Sequence, residues 1–432
     1  MAVYDNDYHY KCKNFLTIVM RVTPASLPEQ IDIAIVGAGP QALTLATHLL
    51  QKRQSMRGRF LVFDPSGSWI GQWRHQFAAL EIPHLRSPAV HHVDPNPYEL
   101  RRFAENRPQE LFPPYDLPGT ELFEDFCKDA IRRWDLQDKV VKAKVTAIEP
   151  PLDRLHPCFR LWLESGESIK ARRVVLAKGS STLNLPEWVS KIPSGYPSDR
   201  LCHSQQVDLR TLHLKGERVL IIGGGLTSGH LAVGAISRGA EVTLITRREF
   251  QEKLFDADPG WLGPKYLKGF WAEPDWETRA LAILRARNGG SMTPAMMTLL
   301  RRQARKGKLT SYEQCQVVAA RWLGDKWQIR CDDGQEYEFD RIWLATGTKL
   351  DATTEPLLTN ILDTYKIPIV KGLPVLDEYL RVPGCELFLM GGLAALQLGP
   401  TARNLSGARM ASDRIVPAMV KSSISLVKLK SA

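Results

Sequence analysis

The chain has 432 residues, of which 44% are hydrophobic and 24% charged, and it carries a formal charge of +10. Such a length accommodates two or three domains. The composition is that of a globular protein, and no apolar run approaches the roughly 18 residues that a bilayer span needs. Seven scattered cysteines without a C-x-x-C argue against a disulfide framework and a redox dithiol, and they suit a cytoplasmic protein. The positive charge calls for anionic partners. No helix–turn–helix, zinc-finger or RNA-binding signature accompanies it, so phosphate-bearing small molecules are expected rather than nucleic acid.

Residues 1–30 read as a dispensable extension, with Met20 as an alternative start. Asp5, Asp7 and the short apolar run of residues 15–20 do not suit a signal peptide. Residues 32–36 form a short β-branched apolar run, as a buried parallel strand requires. Gly37 permits a tight turn, and Gly39 removes a side chain where backbone must approach a pyrophosphate. Ala42 stands at the third small position of G-x-G-x-x-G/A. The helix that follows points its amides and its dipole at the phosphates. A second strand, residues 59–63, ends in Asp64, placed to accept hydrogen bonds from a ribose diol.

Residues 81–94 read EIPHLRSPAVHHVD. Adjacent His91 and His92 would point to opposite faces of a strand, so a metal shared with Asp94 is not expected. Residues 174–179 (VVLAKG) form a strand that ends in a small-polar-Gly turn. The first pattern then returns. Residues 218–222 are a buried strand, Gly223, Gly225 and Ser228 repeat the spacing, and a helix over 227–238 is closed by Gly239. The next strand, 241–245, runs into Arg247 and Arg248 instead of an acid. Guanidinium forks match a ribose 2′-phosphate. The first site therefore suits an unphosphorylated ADP-ribose and the second suits NADP(H), a combination expected of a flavoprotein fed by NADPH.

Between residues 255 and 310 the pattern changes. Asp275 and Thr293 are expected caps of two basic amphipathic helices, the second with Pro294 in its first turn. Their arginines, from Arg285 to Arg305, read as a solvated face. The nearby Trp261, Phe270, Trp271 and Trp276 are expected to staple this insert down, or alternatively to wall a pocket. Residues 342–347 (IWLATG) form a second strand ending in a small-polar-Gly turn, expected in the first domain with 174–179. Leu398-Gly399-Pro400-Thr401 is expected to open the last helix. The lysine-bearing tail reads as a frayed basic terminus.

Gly37-Ala38-Gly39-Pro40 with Leu43, Trp69-Ile70-Gly71-Gln72-Trp73, His203-Ser204, Gly223-Gly224-Gly225 and Ala345-Thr346-Gly347 together resemble the two-dinucleotide flavoprotein monooxygenases. These are the flavin-containing monooxygenases and, more closely, the lysine/ornithine N-hydroxylases. The resemblance covers about residues 30–415. Phe255-Asp256-Ala257-Asp258-Pro259 falls where the N-hydroxylases carry Asp-Ser-Pro-Phe. Three positions depart from the family pattern: Val207 replaces a fingerprint tryptophan, Lys178 replaces a threonine, and Gly260-Trp261-Leu262 replaces an Asn-Glu stretch.

The resemblance implies an α/β fold of two Rossmann-like dinucleotide-binding domains, an FAD domain with an inserted NADPH domain, plus a small helical insert. The FAD domain is expected over 31–205 and 335–415, the NADP(H) domain over 206–334 with its insert at 255–310, and a basic tail over 416–432. It implies FAD contacts from Gly37, Gly39, Pro40, Gln41, Asp64, Trp73, His84, Val145, Thr346, Gly347, Gly399 and Pro400. It implies NADPH contacts from Gly223, Gly225, Thr227, Ser228, Arg247 and Arg248. The implied chemistry is reduction of FAD by NADPH, formation of a C4a-hydroperoxyflavin with O2, and hydroxylation of an amine nitrogen on a small molecule. No side-chain catalyst or metal is required for this, because the cofactor carries the reaction. An NADPH-dependent reductase or oxidase, or an FAD/NADP-binding regulatory protein without turnover, is the alternative. The sequence leaves the substrate and a homo-oligomer open.

Overall fold

The computed structural model describes residues 27–151, 157–179, 182–287 and 290–421. Residues 1–26 of the expected N-terminal extension and the lysines of the C-terminal tail beyond Lys421 lie outside them, whereas residue 30, assigned to the extension, already opens the first strand. In chain order the first sheet takes β1 (Gln30–Val36), β2 (Phe60–Asp64), β3 (Val140–Lys142), β4 (Val145–Glu149), β5 (Phe159–Leu163) and β6 (Ser168–Leu176). They lie in the order β3-β2-β1-β6-β5-β4. The β1 strand is parallel to both β2 and β6, while β4 and β5 form an antiparallel flap on β6. A strand covered on both faces must be apolar along its length, and Ile33, Ala34 and Ile35 are fully buried.

The second sheet takes β7 (Leu201–His203), β8 (Arg218–Ile222), β9 (Glu241–Ile245), β10 (Leu309–Tyr312) and β11 (Arg341–Leu344), ordered β10-β9-β8-β11-β7. All of its pairings are parallel. Three antiparallel strands, Val317–Trp322, Trp327–Cys331 and Glu336–Phe339, precede β11. The chain then returns to the first sheet through β12 (Leu387–Leu389), which pairs with β6. One apolar cluster forms the core of the first sheet, and two others cover the faces of the second.

This pairing corrects two expectations. The IWLATG strand, β11, belongs to the second sheet, hydrogen-bonded between β8 and β7. The chain therefore leaves the first sheet before Leu201, rather than after 205, and is still in the second at Leu344, beyond the expected return at 335. The two small-polar-Gly turns are equivalents in separate sheets, not partners in one. Their apolar pattern is identical, and only non-local pairing distinguishes them. Second, Gly399 and Pro400 do not open the last helix. A short helix, Ala395–Leu398, stops at Gly399, and Asn404 donates its amide to the Thr401 carbonyl across a turn. The last helix spans Leu405–Val420, with Asn404 in extended backbone before it.

Candidate cofactor site

The first cradle joins β1 to α1 (Pro40–Lys52). Gly37 has φ +98, and a Cβ there would stand 3.0 Å from Lys178 Cα, so the turn requires glycine. Its amide donates to the Phe63 carbonyl at 2.9 Å. Gly39 caps α1 without a side chain, and a Cβ there would meet nothing within 4 Å. The space above the helix N-terminus is open to an anion. At the end of β2, Asp64 accepts from the Ala38 amide (2.9 Å) and from Ser66 N and Oγ (2.9 and 2.6 Å). A carboxylate offers about four acceptor sites, so capacity for a ribose hydroxyl remains.

Of the surrounding motif residues, Ile70 bonds the turn directly and the others pack elsewhere. Ile70 donates its amide to the Ala38 carbonyl at 2.7 Å. Trp73, half-buried, packs on Phe77 and Phe123 with centroids 4.2 and 5.2 Å apart. His84 stacks on Phe112 at 4.9 Å. Val145 is buried in β4, and its side chain belongs to the core. Lys178, the departure from threonine, bonds Glu355 at 2.9 Å. This ion pair ties the β6 turn to the segment around 355.

Gln41, in the first turn of α1, donates Nε2 to the carbonyls of Ala402 (3.3 Å) and Asn404 (3.1 Å). Its buried Oε1 and the buried Thr401 Oγ1 have no partner among the described residues. Unsatisfied buried polar atoms cost about 1–3 kcal/mol each. A polar cofactor laid between α1 and the 399–404 loop would satisfy them, so these residues fit a bound flavin nucleotide.

The second cradle joins β8 to α2 (Leu226–Ser237) in the same way. The Gly223 amide donates to Ile245 at 2.9 Å. Gly223 has φ +145, and a Cβ would fall 2.4 Å from the Ala345 carbonyl oxygen. Ser228 is fully buried and donates to the Gly225 carbonyl at 2.6 Å, while Thr227 is half-buried in the same turn. Among the described residues a Cβ at Gly225 would meet only Gly290 Cα, at 4.0 Å. Arg247 and Arg248 are exposed just past β9. Thr346 and Gly347 follow β11 and so adjoin this second cradle. The Thr346 Oγ1 is buried without a partner among the described residues, and the Gly347 carbonyl takes the His203 Nε2 at 3.0 Å. Burial lowers the His203 pKa, so the ring donates this bond in its neutral form.

Between the cradles lies the helical insert: α3 (Pro264–Ala272), α4 (Trp276–Arg287) and α5 (Pro294–Arg305). Asp275 and Thr293 cap the last two, as expected, accepting from Thr278 N and Met296 N. One residue on the basic face turns inward. Arg287 donates to the Pro400 carbonyl (2.8 Å) and to Asp256 (2.6 Å), and Asn404 also reaches Asp256 (3.2 Å). Burial opposes the Asp256 charge, but Arg287 outweighs it and holds the carboxyl below its usual range. Arg86 donates to the Leu254 and Lys253 carbonyls and to Ser291, clamping the 81–94 loop to the insert. Arg403 keeps exposed surface although protein surrounds it. Desolvation, then repulsion from Arg287, brings its guanidinium down to about 10. Arg403 was missed in the sequence, where nothing but its place three residues past Pro400 marks it. His91 and His92 are taken up locally, by Ser87 Oγ and the Asp94 amide.

Residues 34–181 match the model of a family described as FAD-NAD(P)-binding. A comparison with curated protein sequences gives no match. Among solved structures, an ornithine N-hydroxylase from Kutzneria sp. 744, with reduced FAD, NADP+ and L-ornithine, is 18% identical with a TM-score of 0.71. The alignment covers 90% of this chain and 99% of that one. An FAD-bound cadaverine monooxygenase from Erwinia amylovora is 14% identical with a TM-score of 0.70, covering 93% and 99%. A bacillithiol disulfide reductase from Staphylococcus aureus is 14% identical with a TM-score of 0.58, covering 91% and 99%. The fold is that of the two-dinucleotide flavoproteins.

Proposed function

We propose that this chain is an NADPH-dependent FAD monooxygenase that hydroxylates the nitrogen of a small-molecule amine. One observation carries the reading: two glycine cradles of common backbone geometry end in opposite charges, Asp64 at the first and Arg247-Arg248 at the second. FAD at the first cradle, reduced by NADPH at the second, supplies the activation of O2. The α1 N-terminus and Asp64 hold the adenosine diphosphate of FAD. Gln41 Oε1 and Thr401 Oγ1 face the same nucleotide. Thr227 and the α2 N-terminus receive the pyrophosphate of NADPH, the arginines receive its 2′-phosphate, and the buried Ser228 packs the turn beneath them. Arg287 fixes the 399–404 loop against the insert and helps to exclude water.

The fold of the two amine monooxygenases supports the reading. The family model supports the first nucleotide site. Among the described residues no helix is long and apolar enough to cross a membrane, and the six described cysteines are free. We place the protein in the cytoplasm, with a small-molecule substrate and O2 as its partners. The likeness to a disulfide reductase favours a second reading, NADPH oxidation through FAD without oxygen insertion.

Stopped-flow spectroscopy separates them. Anaerobic protein is reduced with NADPH and then mixed with oxygen in the presence of NADP+. A slow, multi-step return of flavin absorbance supports the monooxygenase. A fast single-step return supports the reductase or oxidase. No reduction at all leaves only a nucleotide-binding protein.

A further inference from the structure

A cavity of about 700 Å³ opens between the insert and the first domain. That volume suits a small organic molecule. Its walls are aromatic and come from separate parts of the chain: Tyr115 before Thr120, Phe255 after Lys253, and Trp261 and Tyr266 at the head of α3. Trp261 meets Phe270 edge-on at 5.8 Å, an ordinary packing contact. Tyr115 and Phe255 are different. Their rings touch each other at 5.4 Å and form one aromatic wall joined from two segments, and Tyr115 is 52% exposed. Aromatic surface left facing water costs about 25 cal/mol per Å² that a ligand would recover on covering it.

The charges are equally one-sided. Lys253 and Arg285 line the cavity, and neither forms an ion pair among the described residues. The single carboxylate in the wall, Asp258, already accepts the Gly260 amide at 2.7 Å. The cavity also abuts the cofactor loop. A Cβ on Gly399 would lie 3.8 Å from Trp261, and Arg287, two residues past Arg285, bonds Pro400.

We infer that this cavity holds the substrate and selects a flat aromatic molecule that carries a carboxylate. The ring lies against the Phe255–Tyr115 pair and Trp261, and the carboxylate meets Lys253 and Arg285. The inference rests on the proposed function for the word substrate, but not for the binding chemistry.

Isothermal titration calorimetry on the FAD-loaded protein, saturated with NADP+, tests it. The probes are 2-aminobenzoate, benzylamine and L-ornithine. The first should bind at least tenfold more tightly than the other two, which lack the carboxylate or the ring. Arg285→Ala and Lys253→Ala should each weaken 2-aminobenzoate about threefold to tenfold, leaving FAD retention and melting temperature unchanged. Equal or tighter binding of ornithine overturns the inference, as does indifference to both substitutions. Competition between NADP+ and 2-aminobenzoate also overturns it, because the cavity then belongs to the nicotinamide. The same titration on protein without FAD keeps the two ideas apart. Selective binding there, in a chain that never retains FAD, sinks the proposed function and spares the cavity.

Discussion

At Gly37 and at Gly223 the chain makes one turn twice. Each glycine amide donates to the carbonyl that ends the neighbouring strand, Phe63 or Ile245. Each turn is backed by the end of a third strand: Ala177 donates to the Val36 carbonyl and Ala345 to the Ile222 carbonyl. The differences lie outside the backbone. The first cradle bonds its own acid, Asp64, to the Ala38 amide, whereas the second leaves Arg247 and Arg248 exposed. Above Gly39 the space is open, whereas Gly290 stands 4.0 Å from a Cβ on Gly225. Backbone geometry thus makes a general nucleotide cradle, and the charge at the strand end chooses the nucleotide.

The sharpest way to break this comparison is to fill one cradle at a time. Gly39 has φ −74 and an unobstructed Cβ position, so Gly39→Glu adds negative charge at the pyrophosphate without straining the fold. We expect FAD affinity to fall by at least about a hundredfold, about 2.8 kcal/mol, with the melting temperature nearly unchanged. Gly225→Glu should do the same to NADPH and spare FAD. Flavin content of the purified variants and NADPH titration check both. Loss of the wrong nucleotide would reverse the assignment.

The turn glycines test the backbone half of the argument. A Cβ at Gly223 would lie 2.4 Å from the Ala345 oxygen at φ +145, against 3.0 Å from Lys178 at φ +98 for Gly37. Gly223→Ala should destabilise by about 2–4 kcal/mol and Gly37→Ala by about 1–3 kcal/mol. Chemical denaturation measures both, and a larger loss at Gly37 would contradict the geometry.

Both cradles were legible because their signal is local: a β-branched run, glycines at fixed spacing, a helix, and a charged residue at the next strand end. The caps Asp275 and Thr293 were legible for the same reason. What escaped depends on contacts distant in sequence. Residues 342–347 look like 174–179 from within, and only pairing with β8 and β7 puts them in the second sheet. Arg287 reads as one more arginine on a solvated face until the fold brings Pro400 and Asp256 to it. Pro400 resembles a helix start, but the turn from Thr401 to Asn404 delays the helix to Leu405.

A smaller effect sharpens the electrostatic half. The double substitution Arg247→Ala with Arg248→Ala should weaken NADPH about tenfold to a hundredfold, the worth of charged hydrogen bonds to one phosphate. NADH should change less than about twofold, because it lacks the group these side chains are assigned to hold. Equal losses for both nucleotides would remove the arginines from the 2′-phosphate.

The two halves also differ in how acid should reach them. His92 beside the first core and His230 on α2 are each lowered from 6.5 to about 4, chiefly by burial. In the unfolded chain both titrate near 6.5, so between about 6.5 and 4 the unfolded state binds more protons. Stability therefore falls as pH drops through that window and levels off below it. His92 is only 1% exposed and accepts the Asp94 amide at 3.1 Å; its share of the acid loss is about 1–3 kcal/mol. His230 is lowered to the same value, with repulsion from His84 adding to burial, so its share should be similar. Melting curves from pH 7 to 4 check this: His92→Gln keeps an acceptor for Asp94 yet cannot be protonated, so its acid slope should be flatter than that of the parent. His230→Gln should flatten it to a similar extent. Parallel slopes for the parent and both variants would show that carboxylates, not these imidazoles, set the acid limit.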